Sequence, residues 1–258
     1  MFSSGCTKLD DMKVKLGIKN TDFEYIKQGK IEKIVIQSTR DQGFRFIVTD
    51  KKAISELYDI LSNAKAATTK SSLEPDYVFE MIEGNKVHKF SYVAGLDKKE
   101  SGNLYSDNKI YIVSKRIDND IIKSFWTIRK PKDFSEVYYS SIIDALSQYL
   151  KGKEGNTNVG INLRDDVESG KFILSTDLED FKNNLNNKFK SVKIADKDKE
   201  NYDVWVTIKT QGYKSTLYKS IITFWDKNEK SEKKFYVFDK YENGRWSIKV
   251  SEEKPDGF

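Results

Sequence analysis

Short apolar runs separated by tight-turn signals recur along this chain, and they restrict it to sheets built from hairpins with a few covering helices. Ile34, Val35 and Ile36 form one such run. Asp41-Gln42-Gly43 signals a turn, and Phe44, Phe46 and Val48 then alternate with Arg45 and Thr49. Alternation of this kind sends one side of a strand into a core. Residues 77–82 and 86–93 flank Glu83-Gly84-Asn85 as a second hairpin. Ser106-Asp107-Asn108-Lys109 joins Leu104-Tyr105 to Ile110-Tyr111-Ile112-Val113 as a third. Asp50 is placed to cap a helix, because its carboxylate can accept from free N–H groups of the first turn. Ile54, Leu57, Tyr58 and Leu61 follow at helical spacing, which predicts a helix over 51–64. Asp118 is expected to cap a closing helix with Ile121, Ile122, Phe125 and Trp126 on one side. The order ββαββββα predicts an antiparallel sheet with helices on one face.

The basic break Arg129-Lys130-Pro131-Lys132 lies between two helical patterns and marks the predicted domain boundary. Beyond it, Asp133 and Glu136 have the spacing of a capping box. Tyr138, Ile142, Ala145, Leu146, Tyr149 and Leu150 keep helical spacing, and Gly152 is placed to end the helix in a left-handed conformation. Strands are expected at 159–163 and 171–174, followed by a helix capped by Asp177 and carrying Leu178, Phe181, Leu185 and Phe189. Val204, Val206 and Ile208 then alternate with Trp205 and Thr207. Residues 217–225 form a long strand with apolar side chains on both faces. Residues 235–238 form another, and Asn243-Gly244 is a strong tight-turn signal before Trp246, Ile248 and Val250. The expected fold class is α+β in two domains, 31–129 and 133–252, each an antiparallel sheet packed against helices.

Three resemblances refine this picture. Cys6 follows the small residues Ser3-Ser4-Gly5 and precedes a polar, lysine-rich stretch. This resembles the end of a bacterial lipoprotein signal peptide, in which the cysteine becomes the lipidated first residue of the mature chain. The apolar segment of that pattern is missing, and Ser3 stands where it prefers Leu. The resemblance implies lipidation at Cys6, an extracytoplasmic location, and a tether over the rest of residues 1–30. Residues 31–128 are similar to the YhfM-like domain of Gram-positive lipoproteins. The similarity lies in the early strands, the Glu74-Pro75-Asp76-Tyr77 lead-in to a strand, the Ser106–Tyr111 hairpin, and the final helix with Ile121-Ile122. That domain supplies no catalytic residues to carry over. The helix, strand, helix and four-strand order of the last part resembles NTF2-like or cystatin-like folds, whose sheet curves around a helix as a cone.

Candidate chemistry is scarce. One histidine, His88, and one cysteine rule out a thiolate metal cluster and an intramolecular disulfide. No HExxH, GxSxG, GxxxxGK[ST] or GxGxxG pattern occurs. His88 reads as a strand residue beside a turn. Asp165-Asp166 reads as a solvated turn, since it lacks the alternating acids that wrap Ca²⁺. No catalytic residue, metal or cofactor is expected. The net charge of +5 is spread through mixed-sign runs with no basic stripe evident, so no nucleic-acid partner is expected. No apolar run approaches the ~20 residues needed to span a bilayer, so the membrane is reached only through a lipid on Cys6. The expectation is a non-catalytic binding or interaction module at the cell surface, with a protein, peptide or wall polymer as partner. Trp205, Tyr218, Trp225, Tyr236 and Trp246 are its candidate ligand-facing aromatics. The alternatives are a carboxylate-dependent enzyme in an NTF2-like cone and an electrostatic binder of anionic wall polymers.

Overall fold

A computed structural model of the chain describes residues 20–96, 101–122, 130–153 and 157–258. Cys6, Phe125 and Trp126 lie outside the described residues. The chain divides into two units after residue 127, with residues 174–176 counted with the first. The fold is α+β.

The first unit contains helix α1 (Glu24–Lys27), strands β1 (Lys33–Ser38) and β2 (Arg45–Val48), helix α2 (Lys51–Leu61), and strands β3 (Lys65–Ala66), β4 (Tyr77–Glu83), β5 (Lys86–Tyr92), β6 (Leu104–Tyr105) and β7 (Ile110–Ile112). A π-helical turn spans Ile117–Ile122. The sheet order is β2-β1-β4-β5-β6-β7-β3, and its named strand pairs are all antiparallel. The three expected hairpins form. Asp50 caps α2, accepting from Ala53 N at 2.8 Å. The apolar side of α2 (Ile54, Leu57, Tyr58, Leu61) shares one core with Ile34, Ile36, Phe79, Met81 and Tyr92 of the sheet. Burying each such side chain favours folding by about 1.5–3 kcal/mol.

Two expectations change here. The sequence predicts a tether over residues 1–30, yet Phe23 and Ile26 of this polar stretch are 0% and 4% exposed and belong to the core. Two apolar residues on one helical turn are too few for periodicity to reveal. Asp118 does not cap a helix. It accepts from the Tyr92 hydroxyl and from Gly95 N, each at 2.9 Å, while Ile117, Ile121 and Ile122 of the π-helical turn enter the core.

The second unit contains α3 (Phe134–Leu150), β8 (Val159–Asn162), α4 (Val167–Gly170), α5 (Ser175–Lys188), β9 (Val192–Ile194), a 3-10 turn (Lys199–Asn201), and strands β10 (Val204–Lys214), β11 (Leu217–Asp226), β12 (Ser231–Glu242), β13 (Arg245–Ser247) and β14 (Val250–Ser251). The sheet order is β13-β12-β11-β10-β8-β9, with β14 also paired to β12. This sheet is mixed rather than antiparallel: β8 runs parallel to both β10 and β9. The helices between β8 and β9 carry the chain back to the start of the sheet, which is what parallel pairing requires.

Residues 171–174 form no strand. Phe172 and Ile173 are buried in the turn after α4, filling core space without joining the sheet. Asp133 makes no capping hydrogen bond and adopts a left-handed conformation at φ 43°. Gly152 (φ 78°) and the Asn243-Gly244 pair (φ 54° and 80°) are left-handed as their turns require. One face of the sheet meets α3, where Tyr149 stacks on Phe224 with ring centroids 4.3 Å apart. Strand β10 holds a β-bulge: Thr210 pairs with Ser220 and Gly212 with Lys219, leaving Gln211 between them outside the register.

Candidate ligand-binding face

Strand alternation fixes which side chains of β10, β11 and β12 look away from α3. Val206, Ile208, Ile222, Phe224, Phe235 and Val237 turn inward and are at most 2% exposed. The register then builds the outer face row by row. Trp205 lies beside Trp225, which lies beside Glu232. Thr207, Thr223 and Lys234 make the next row, and Lys209, Ile221 and Tyr236 the one after. Lys219 then pairs with Phe238, and Leu217 with Lys240, which continues to Ser247 of β13. Lysines are thus interleaved with apolar and aromatic side chains across three adjacent strands.

Several ammonium groups sit over ring faces. Lys199 Nζ is 5.4 Å from the Trp225 centroid, and Lys219 and Lys240 are 4.9 and 5.2 Å from that of Phe238. Phe258 meets Tyr236 edge-on at 5.3 Å, and Lys219 Nζ donates to the Gly257 carbonyl at 2.5 Å. A hollow of roughly 100 Å³ opens beside Phe238, Lys240, Ser247 and Lys249. Glu232 is engaged by Lys234 at 2.8 Å.

The five nominated aromatics separate. Trp225 and Tyr236 lie half-buried on this face. Trp205 shares the face but is 7% exposed, covered by Tyr202 at 5.6 Å and seated over Gly160. Tyr218 points inward, 1% exposed, with its hydroxyl 3.1 Å from Thr210 Oγ1. Trp246 is also 7% exposed, and its Nε1 donates to the Lys132 carbonyl at 2.8 Å. The lysines of this face were missed because no single segment is basic; they gather only when three strands lie side by side. The alternation Lys234-x-Tyr236-x-Phe238-x-Lys240 was the available signal.

The acids behave differently from a solvated turn. Asp166 is 2% exposed and accepts from Thr210 N at 2.9 Å and Thr210 Oγ1 at 2.8 Å. Thr210 Oγ1 also contacts Ser169 Oγ at 2.6 Å. Burial raises the Asp166 pKa, and the hydrogen bonds from Thr210 only partly oppose that rise. Asp239 is 0% exposed, accepts from Lys249 N at 2.7 Å, and lies 2.7 Å from Ser141 Oγ. Its pKa is pushed up to about 7, chiefly by burial. Ser141 Oγ also lies 2.6 Å from the Val137 carbonyl. One hydroxyl hydrogen cannot serve both acceptors, so a protonated Asp239 completes the set. His88 Nε2 lies 2.7 Å from Glu83 Oε2, and its ring stacks on Tyr25 at 3.9 Å. Among the described residues, no group of three or more His, Cys, Asp or Glu side chains could hold a metal ion, and no helix is long and apolar enough to cross a membrane.

Residues 27–131 match the model of a family described as YhfM protein, in agreement with the similarity over 31–128 read from the sequence. No curated protein and no solved structure matches the chain. The NTF2-like or cystatin-like likeness of the second unit therefore rests on element order alone.

Proposed function

We propose that this protein is a non-catalytic binding module held outside the cell by a lipid on Cys6, and that the outer face of the second sheet binds an anionic polymer of the cell surface. The observation that carries the reading is the interleaving of Lys209, Lys219, Lys234 and Lys240 with Trp225, Tyr236 and Phe238 on one face. Ammonium groups supply long-range attraction to phosphate or carboxylate, and the rings supply contact area that tolerates an irregular chain.

Poly(glycerol phosphate) is the defined probe. Its affinity should fall at least about tenfold between 50 and 200 mM salt, as expected for a site that neutralises several charges. Charge reversal at both Lys219 and Lys240 should remove most of the binding. Binding indifferent to salt, or unaffected by the double reversal, would sink the polymer reading. The lipid is tested separately: fatty-acid label should enter the wild-type protein in cells and not the Cys6→Ser variant.

A carboxylate-dependent enzyme is the second reading, favoured by the chain Asp166–Thr210–Tyr218. Weighing against it, Asp166 and Asp239 are 2% and 0% exposed, whereas a general acid or base must come within hydrogen-bond reach of its substrate.

A further inference from the structure

The first unit carries a hollow of its own, on the side of its sheet away from α2. Val87, Lys89 and Ser91 of β5 alternate outward, opposite the inward Phe90 and Tyr92. Tyr105 lies across the ladder from both Ser91 and Ile110, so these three continue the same floor. One wall is the segment 67–70, fixed to the sheet through Ala67 N to the Ile110 carbonyl and Gly102 N to the Thr69 carbonyl, at 2.9 and 2.8 Å. The other is the tip of the β6–β7 hairpin. The hollow is a half-open groove of roughly 1070 Å³. That exceeds the roughly 300–1,000 Å³ of ordinary small-molecule pockets and suits an extended ligand.

The lining chemistry narrows the class. Thr68, Thr69, Ser91, Ser106 and Asn108 all border the hollow. Among the described residues, none of these five side chains has a hydrogen-bond partner within the protein. They are neutral groups that both donate and accept. The floor beneath them is apolar: Val87 is 51% exposed, and the Tyr105 ring is partly open. Lys89 is paired with Glu80 at 3.4 Å, and Lys70, whose Nζ lies over the Tyr105 ring 5.2 Å from its centroid, must swing aside for a ligand to stack there. Asp107 at the hairpin tip also borders the hollow and would repel an anion. A ligand matched to these groups is uncharged, rich in hydroxyls, and has apolar C–H faces to set on a ring.

We infer that this groove binds a neutral oligosaccharide, through Tyr105 as platform and the surrounding hydroxyl and amide groups as hydrogen-bond partners. The site and ligand class are separate from those proposed for the second unit, so each can fail alone. The experiment is an NMR titration of the whole protein with chitotetraose and cellotetraose. Saturable shifts are expected in the amides of 67–70 and 105–110. Tyr105→Ala should weaken binding roughly tenfold, the loss of about 1.4 kcal/mol of stacking. Ser91→Arg should abolish it by filling the floor. Unchanged melting temperatures would show that both variants fold, and Asn108→Ala provides a milder third variant on an exposed tip. Absence of shifts with either tetramer overturns the inference. So do shifts confined to other residues, equal binding by Tyr105→Ala, and a groove that answers only to a phosphorylated sugar.

Discussion

Asp76 in the first unit and Asp239 in the second are both buried carboxylates, and they are held in opposite ways. Asp76 of the first unit, 2% exposed, receives Arg40 Nη1 at 2.6 Å and Ala94 N at 2.8 Å. Asp239 of the second unit is 0% exposed and, among the described residues, accepts hydrogen bonds from Ser141 Oγ and Lys249 N and from no cation. Burial raises both pKa values, but at Asp76 the guanidinium pulls against it. At the first site a cation opposes the rise that burial causes; at the second only neutral donors do. The lesson is that equal burial does not imply equal chemistry: the partner decides which protonation state the fold selects.

The largest test removes the partner. Arg40→Ala leaves Asp76 buried without its cation and should cost about 3–5 kcal/mol, measured by denaturant unfolding. The loss should shrink at acid pH, where Asp76 can take up a proton. If the variant unfolds like wild type at neutral pH, the pairing is not what holds this site.

Asp239→Asn should act in the opposite sense. The native state keeps a proton that the unfolded chain loses between pH 3.8 and about 7. Stability from this residue is therefore greatest below that window and declines as pH rises through it. Asparagine carries no charge to desolvate, so the variant should gain a few kcal/mol over wild type at pH 8 and nothing at pH 4. A destabilised variant at pH 8 would show that the carboxylate is ionised and needed.

Two glycines give the next comparison. A methyl group at Gly102 would collide with Ile110 Cγ2 and lie 3.1 Å from the Tyr111 carbonyl oxygen; at Gly160 it would come within 2.8 Å of the Trp205 ring. Both Gly→Ala variants should lose about 1–3 kcal/mol in thermal unfolding, with Gly102 the worse because backbone cannot rotate aside. The smallest contrast is at the helix starts. Asp50→Ala should cost about 1 kcal/mol through its lost cap. Asp133→Gly should cost nothing and gain a few tenths of a kcal/mol, since it makes no cap and its backbone is left-handed. Equal losses at both would mean that Asp133 caps α3 in solution.

Much of the first sheet was legible because its turns are local. Gly43, Gly84 and the Ser106–Lys109 tip each announce a hairpin whose strands are neighbours in sequence. The second sheet hides more. Three-residue β9, with Lys193 at its centre, is too short for alternation to register, and its parallel partner β8 lies about thirty residues upstream. Period-two patterns group Trp205 with Thr207, and Trp225 with Thr223, but do not say which group faces the core. That depends on α3, whose docking no strand encodes. Tyr218 and Trp225, seven positions apart on one strand, must face opposite ways, but only the docking of α3 decides that Tyr218 is the one turned inward. Asp166 escaped detection because its polar neighbours Arg164, Asp165 and Glu168 look like open loop, while its partner Thr210 is forty-four residues on.

The extra residue in β10 reverses the parity of that strand. Before Gln211 the odd-numbered side chains look outward; after it the even-numbered ones do, and Tyr213 comes in against Phe172 at 5.3 Å. Deleting Gln211 would restore plain alternation and leave every pair as it is, with Gly212 opposite Lys219 and Tyr213 still turned inward opposite Tyr218. The bulge is therefore the one place in this strand where a single residue can be lost without turning its neighbours over.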